Sequence, residues 1–249
     1  MIRAVFVSDL RARYAAGNKL GWLWLIFYPL SLLGIYTLLF LGLSGRSFGP
    51  GTLDYVLLVI AGFIAWMGIS EMIAIGITLV HANANILRNT VFPVEILSIR
   101  MNNVALAQLL ISFGLLLIAY AFLGKISIAW VQFPLILAIH YIGCVGLTWI
   151  LATLGAFFKD LSQLVSVLLM VLLMITPAGY TEEMISGPLA IINKYNLFTY
   201  ILRAYRLALC QGQWLDLSFY LIMSAVALAL FYLGYFAFMR LKPLFSDLV

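Results

Sequence analysis

Long apolar runs separated by short polar breaks limit this chain more than any other feature. Tyr55–Val80 carries one charged residue, Glu71, while Val104–Leu123 and Gln132–Phe157 contain no Asp, Glu, Lys or Arg. Runs of this length meet the roughly 20 residues that a helix needs to cross a bilayer. Only 9% of the residues are charged and 65% are hydrophobic, with a mean hydropathy of +1.12. A soluble domain carries about 25% charged residues, so burial in a protein core cannot account for the balance. Strands of a membrane barrel alternate apolar and polar residues. These runs do not, and the expected fold class is an all-α integral membrane protein.

Six spans are expected: Gly21–Leu43, Tyr55–Val80, Val104–Leu123, Gln132–Phe157, Leu161–Ile175 and Phe219–Met239. Trp22 and Trp24 mark the start of the first, as an interfacial aromatic belt would. Residues 1–20 hold Arg3, Arg11, Arg13 and Lys19 and are too polar to cross. Phe6, Val7, Leu10 and Tyr14 fall on roughly one helical face there, which predicts an interfacial helix rather than a disordered basic tail. No small-residue cleavage site follows a short apolar core, so no cleavable leader is expected.

Residues 180–215 differ in kind. Their apolar pieces, Pro188–Ile192 and Leu197–Leu202, are far too short to cross, and charged and aromatic residues surround them. The pattern predicts two half-helices that dip into the outer leaflet and return. Such backbone survives only where protein or a water-filled cavity covers it. Residues 1–249 are then one transmembrane domain.

An even number of spans puts both termini on one side. With them inside, nine cations are cytoplasmic: Arg3, Arg11, Arg13, Lys19, Arg88, Arg100, Lys159, Arg240 and Lys242. The other side has five, Arg46, Lys125, Lys194, Arg203 and Arg206. The excess favours cytoplasmic termini.

His81–Arg100 is the longest polar break of the first half, with Arg88, Arg100, several asparagines and an expected turn at Pro93-Val94-Glu95. A plain connector could be much shorter. This one is expected to be a docking element through which something outside the membrane pushes on the spans.

Chemical motifs are absent. There is no phosphate-binding GxxxxGK[ST], no HExxH and no GxSxG. His81 and His140 lie in separate segments, and the scattered cations are no nucleic-acid signal. Cys144 falls in an apolar run and Cys210 in an expected loop, so no disulfide is foreseen. Glu71 is a carboxylate deep in a span, which makes it a functional candidate by default. A proton relay would need a partner, and His140 is the one candidate; pairing or neutrality inside the bundle is the plainer reading. Trp22, Pro29, Leu33, Tyr36 and Phe40 share a face of the first helix. That stripe suits either a path for sugar rings or contact with lipid and neighbouring helices.

Four stretches carry a resemblance. Leu10-Arg11-Ala12-Arg13-Tyr14 leads into Leu20-Gly21-Trp22-Leu23-Trp24 and Tyr28-Pro29-Leu30. Asn85-Ile86-Leu87-Arg88-Asn89 precedes Val91-Phe92-Pro93-Val94-Glu95-Ile96-Leu97. Phe157-Phe158-Lys159-Asp160-Leu161 and Thr176-Pro177 follow in register. Together they resemble the ABC-2-type permeases that export polysaccharides such as O antigen, capsule or teichoic acid. The resemblance implies a homodimer in the bacterial cytoplasmic membrane, paired with two copies of a separate ATPase that holds ATP and Mg; this chain would bind no cofactor and no metal. It implies coupling to the ATPase through Phe92, Pro93, Val94, Glu95, Ile96 and Leu97, and a cytoplasmic gate at Asn85, Leu87 and Arg88. Trp22, Tyr28, Tyr36 and Phe40 would line the channel, and Tyr195, Phe198, Tyr200, Arg203 and Arg206 would form a periplasmic gate. The cargo would be a lipid-linked polysaccharide, handed on to periplasmic or outer-membrane export proteins. One departure stands out: the family has Tyr-Asn-Pro where this chain has Tyr195-Asn196-Leu197. A drug or small-lipid efflux permease is the nearest alternative. A membrane enzyme acting on a lipid-linked substrate is a further one, disfavoured because Glu71, Glu95 and Asp160 lie apart, and a purely structural subunit is the last.

Overall fold

The computed structural model describes residues 50–85, 94–182 and 187–245, together with a few positions between Leu23 and Leu38. The expected interfacial helix at 1–20 lies outside the described residues. All described regular structure is helical: α1 (Pro50–Ala82), α2 (Val94–Phe122), α3 (Phe133–Phe157), α4 (Leu161–Ile175), α5 (Pro188–Tyr195), α6 (Leu197–Tyr205) and α7 (Leu217–Leu241). A 3-10 turn, Ile128–Gln132, feeds α3, and a π turn, Arg206–Cys210, continues α6. Cys210 therefore sits in a helical turn rather than a loop, and it and Cys144 are free thiols.

Four of the described helices are long and apolar enough to cross a membrane: Leu53–Ala82, Val94–Phe122, Ile128–Phe157 and Leu217–Leu244. They correspond to the expected second, third, fourth and sixth spans. Leu161–Ile175 has the expected limits of the fifth, but its 15 residues measure about 22 Å against a hydrocarbon core of about 30 Å. Leu23, Phe27, Leu30 and Leu38, inside the expected first span, are helical and exposed.

The chain separates into two compact units. The first draws on residues up to Met67, on Ala107–Phe133 and on Ile175–Leu215. Its centre is aromatic: the Phe113 ring stacks on Tyr205 at 4.4 Å and meets Phe133 edge-on at 5.4 Å. Gln132 pins the polar end of this unit, its amide donating to the carbonyls of Ala129 and Gln213 while its oxygen accepts from the Leu215 N–H. Lys125 pairs with Asp54.

The second unit comprises Gly68–Leu106, Pro134–Met174 and residues from Asp216 onward. Trp149 is its hub, packing on Phe231, Tyr235 and Phe238 and donating its indole N–H to Ser98 Oγ at 2.6 Å. Thr148 Oγ1 lies 3.1 Å from the Met72 carbonyl and 3.2 Å from Asn102 Oδ1. Lipid tails are as apolar as leucine, so helices in a bilayer associate by close packing and such hydrogen bonds.

Close packing brings backbones together where α3 crosses α7. A Cβ built on Gly234 would stand 2.1 Å from the Gly146 carbonyl oxygen, and one on Gly146 would stand 2.4 Å from the Leu230–Phe231 backbone. Backbone cannot retreat as a side-chain tip can, so both positions require glycine. Gly146→Ala or Gly234→Ala should destabilise the protein by about 1–3 kcal/mol, the scale of an overpacked core. Thermal unfolding in detergent checks this, with Gly114→Ala, at an open position, as the control.

Candidate functional site

The polar break at 81–100 is helical at both described ends. α1 continues through Ala82, and α2 begins at Val94, so the expected turn at Pro93-Val94-Glu95 gives way to a helix start. The cause is periodicity. Val94, Leu97, Met101 and Val104 recur at three- and four-residue spacing. Val94 and Leu97 enter a cluster with Leu79, Val80, Trp149, Phe238 and Phe245, and Met101 packs against it.

This inward stripe divides the coupling candidates. Leu97 is 1% exposed and Val94 is buried, so both hold the element in place. Ile96 is 51% exposed, and Ile99, which sequence reasoning passed over, is also exposed one turn on. Ile96 and Ile99 are thus two apolar side chains held outward on an anchored helix end. Glu95 is occupied within the chain: its Oε2 lies 2.7 Å from Lys242 Nζ. Asn85 is exposed at the other end of the break. Leu87, Arg88, Phe92 and Pro93 lie outside the described residues, as do the channel-lining candidates Trp22, Tyr28, Tyr36 and Phe40.

The second region is 175–215, where two short helices form as expected. α4 ends because Pro177 cannot continue it. The Ile175 carbonyl accepts from Asn193 Nδ2 at 2.8 Å and from the Tyr180 hydroxyl at 3.0 Å. Asn196 closes α5 and caps α6, its side-chain oxygen accepting from the Phe198 N–H at 3.0 Å while its amide donates to Thr176 Oγ1 at 2.8 Å. Leu197 thereby occupies the first helical position, where the backbone N–H has no intrahelical partner. That is the position at which proline is tolerated, so the departure from Tyr-Asn-Pro keeps the helix–turn–helix.

The gate candidates separate by environment. Tyr195 is 75% exposed. Phe198 meets Trp66 edge-on at 5.8 Å. Arg203 forms a bidentate pair with Glu182, one arm at 2.9 Å, and its guanidinium lies 6.0 Å from the Tyr200 ring centre. The hydrogen bond to Glu182 raises the Arg203 guanidinium above its ordinary value. Glu182, Tyr200 and Arg203, with Asn193, Lys194 and Thr199, line a recess of about 220 Å³.

Arg206 is only 5% exposed. Its Nε donates to the Leu58 carbonyl and its Nη2 to the Ala178 carbonyl, each at 3.0 Å. The guanidinium fits against α1 because residue 62 is glycine; a Cβ there would lie 2.3 Å from Nη2. Burial lowers the Arg206 guanidinium from its ordinary value, and arginine remains charged all the same. One cation thus ties the end of α6 to α1 and to the turn after α4. Gly62, Glu182 and Asn193 were not legible as partners, because nothing in a linear pattern joins Gly62 to Arg206.

Glu71 lies half-buried along α1, and His140 is buried in α3. Among the described residues no group of His, Cys, Asp and Glu could hold a metal ion.

Comparison with known proteins agrees with this architecture. The chain is 29% identical over 246 residues to an O-antigen export system permease protein RfbA of Klebsiella pneumoniae, covering 97% of this chain and 92% of that one. An RfbA of Myxococcus xanthus with the same description is 27% identical over 174 residues, covering 69% of this chain and 65% of its own. The family description for ABC-2 type transporters matches residues 3–210. By that match, which covers most of its length, the chain belongs to the ABC-2 type transporter family.

Proposed function

We propose that this chain is the membrane permease of an ATP-driven exporter that moves a lipid-linked polysaccharide across the bacterial cytoplasmic membrane. The observation that carries this reading is similarity along nearly the whole chain to permeases named for O-antigen export. A separate ATPase, in two copies, binds ATP and Mg; this chain binds neither, and its working form is a homodimer.

The topology completing this reading has six spans, with the first over residues 21–43 and α4 as the fifth, an interfacial helix at 1–20, and both termini cytoplasmic. Residues 81–100 then face the ATPase. Closure of the ATPase on ATP presses on Ile96 and Ile99, and the buried Val94 and Leu97 carry the push into the second unit. Asn85, Leu87 and Arg88 gate the cytoplasmic mouth, and Trp22, Tyr28, Tyr36 and Phe40 line the path. α5 and α6 re-enter the outer leaflet as the periplasmic gate, with Asn196 capping α6 and Asn193 bonded to the carbonyl that ends α4. Periplasmic or outer-membrane proteins receive the polymer.

The deciding experiment is ATPase activity of the permease co-purified with its cognate ATPase in nanodiscs, with and without lipid-linked polysaccharide from the same cells. Stimulation by the glycolipid is expected. A complex that hydrolyses ATP at the same rate with and without it would remove the cargo assignment. A permease that retains no ATPase would remove the exporter.

Two substitutions divide the machinery. Ile96→Asp puts a charge on the exposed contact and should weaken ATPase retention about tenfold, the scale of one interface anchor, while the permease stays monodisperse. Gly62→Ala crowds Arg206 and should slow polymer export in membrane vesicles without altering ATPase retention. The reverse pattern would exchange the two assignments.

A further inference from the structure

The last helix converges on the first turn of α2. Lys242 closes α7, its backbone N–H bonded to the Phe238 carbonyl, and opens a 3-10 turn, Lys242–Leu244. Its ammonium lies 2.7 Å from Glu95 Oε2, with both side chains less than a third exposed. Phe245, just beyond, is fully buried and packs edge-on against Phe238 at 5.2 Å. Both phenylalanines belong to the cluster that also buries Val94 and Leu97. Each charge also sits at the favourable helix end: the carboxylate in the first turn of α2, where the dipole is positive, and the ammonium at the end of α7, where it is negative. The contact therefore joins two helix ends that attract each other before any partner arrives.

Glu95 is the one acidic residue in the first turn of α2, and a docking role across the ATPase interface is the obvious one for it. Its geometry points elsewhere. A carboxylate already bonded within its own chain is a poor primary contact for another protein, because the partner would have to displace the ammonium.

We propose that Lys242 is a positioning residue for energy coupling. Through Glu95 it holds the first turn of α2 against the end of α7, so that Ile96 and Ile99 face outward as one rigid surface. The C-terminal turn is the brace, and a push on that surface reaches α7 as well as α2. This inference rests on the reading of Val94–Arg100 as the coupling element, and its test separates the two.

The test uses the full-length permease with its cognate ATPase in nanodiscs and compares Glu95→Lys, Lys242→Glu and the double exchange. Two quantities are read: affinity for the ATPase, and ATP hydrolysed per lipid-linked polymer exported. Each single variant should lower affinity about fivefold, the scale of one partly exposed ion pair, and should raise the ATP used per polymer. The double exchange should restore both, and Lys242→Arg should leave both unchanged. A general loss of folding would not be rescued by reversing the pair. Should Lys242→Glu fail to assemble, Lys242→Gln removes the charge at similar length and is expected to show the same two defects. If Lys242→Glu behaves as the parent while Glu95→Lys and the double variant both fail, Glu95 touches the ATPase directly and the brace is overturned, with the coupling element intact. If both single variants behave as the parent, the brace is overturned. If Ile96→Asp then also binds the ATPase normally, the coupling element itself is overturned.

Discussion

Backbone polar groups in a bilayer must find partners within the protein, and the rest of this structure depends on that constraint. Long helices satisfy it internally. The interesting chemistry lies where helices stop, because each end leaves carbonyls or N–H groups without a ladder. Here those ends are closed by a small set of side chains. Asn193 and Tyr180 take the Ile175 carbonyl, Asn196 caps α6, and Arg206 takes the Ala178 carbonyl in the turn after α4 while its other arm reaches the Leu58 carbonyl inside α1. Gln132 does the same for the loop before α7. Each is a long or branched polar side chain in a sequence that has few of them.

Packing without a hydrophobic drive explains the rest of the residue choices. Helices inside a membrane gain little by hiding leucine from lipid, so they approach until backbones touch or hydrogen bonds form. Gly146 and Gly234 allow the first, and Trp149 with Ser98 supplies the second. α7 shows the complementary case: most of its apolar surface is exposed, Leu221, Tyr232, Leu233 and Phe236 included. α1 is instead surrounded for most of its length, with Trp66, Ile69 and Met72 all buried.

The two regions to which the proposed function assigns transport roles are built on opposite principles. The start of α2 is an anchored surface, in which buried Val94 and Leu97 hold exposed Ile96 and Ile99. The 175–215 region is a chain of polar locks around short helices, where the cations Arg203 and Arg206 bond to a carboxylate and to carbonyls respectively. A surface of the first kind suits transmission of force.

Much of this was legible in the sequence. The long apolar runs located the described long helices, because only a continuous helix satisfies the backbone across so many apolar residues, but α1 begins five residues and α2 ten residues before the run that announced it. The two short pieces after Thr176-Pro177 were legible for the same reason, each being too short to cross. What the linear pattern could not convey was pairing between distant segments. Glu95 reads as an outward docking charge until Lys242, far along the chain, is found beside it. Gly62 reads as an ordinary helix glycine until Arg206 fills the space that a Cβ would need. The turn foreseen at Pro93-Val94-Glu95 became a helix start because tertiary burial of Val94 and Leu97 rewards the helical period over the local turn signal. Element and membrane class follow from local composition and period, both properties of neighbours in sequence. Partnership follows from contacts between residues remote in sequence, and only the folded chain decides those.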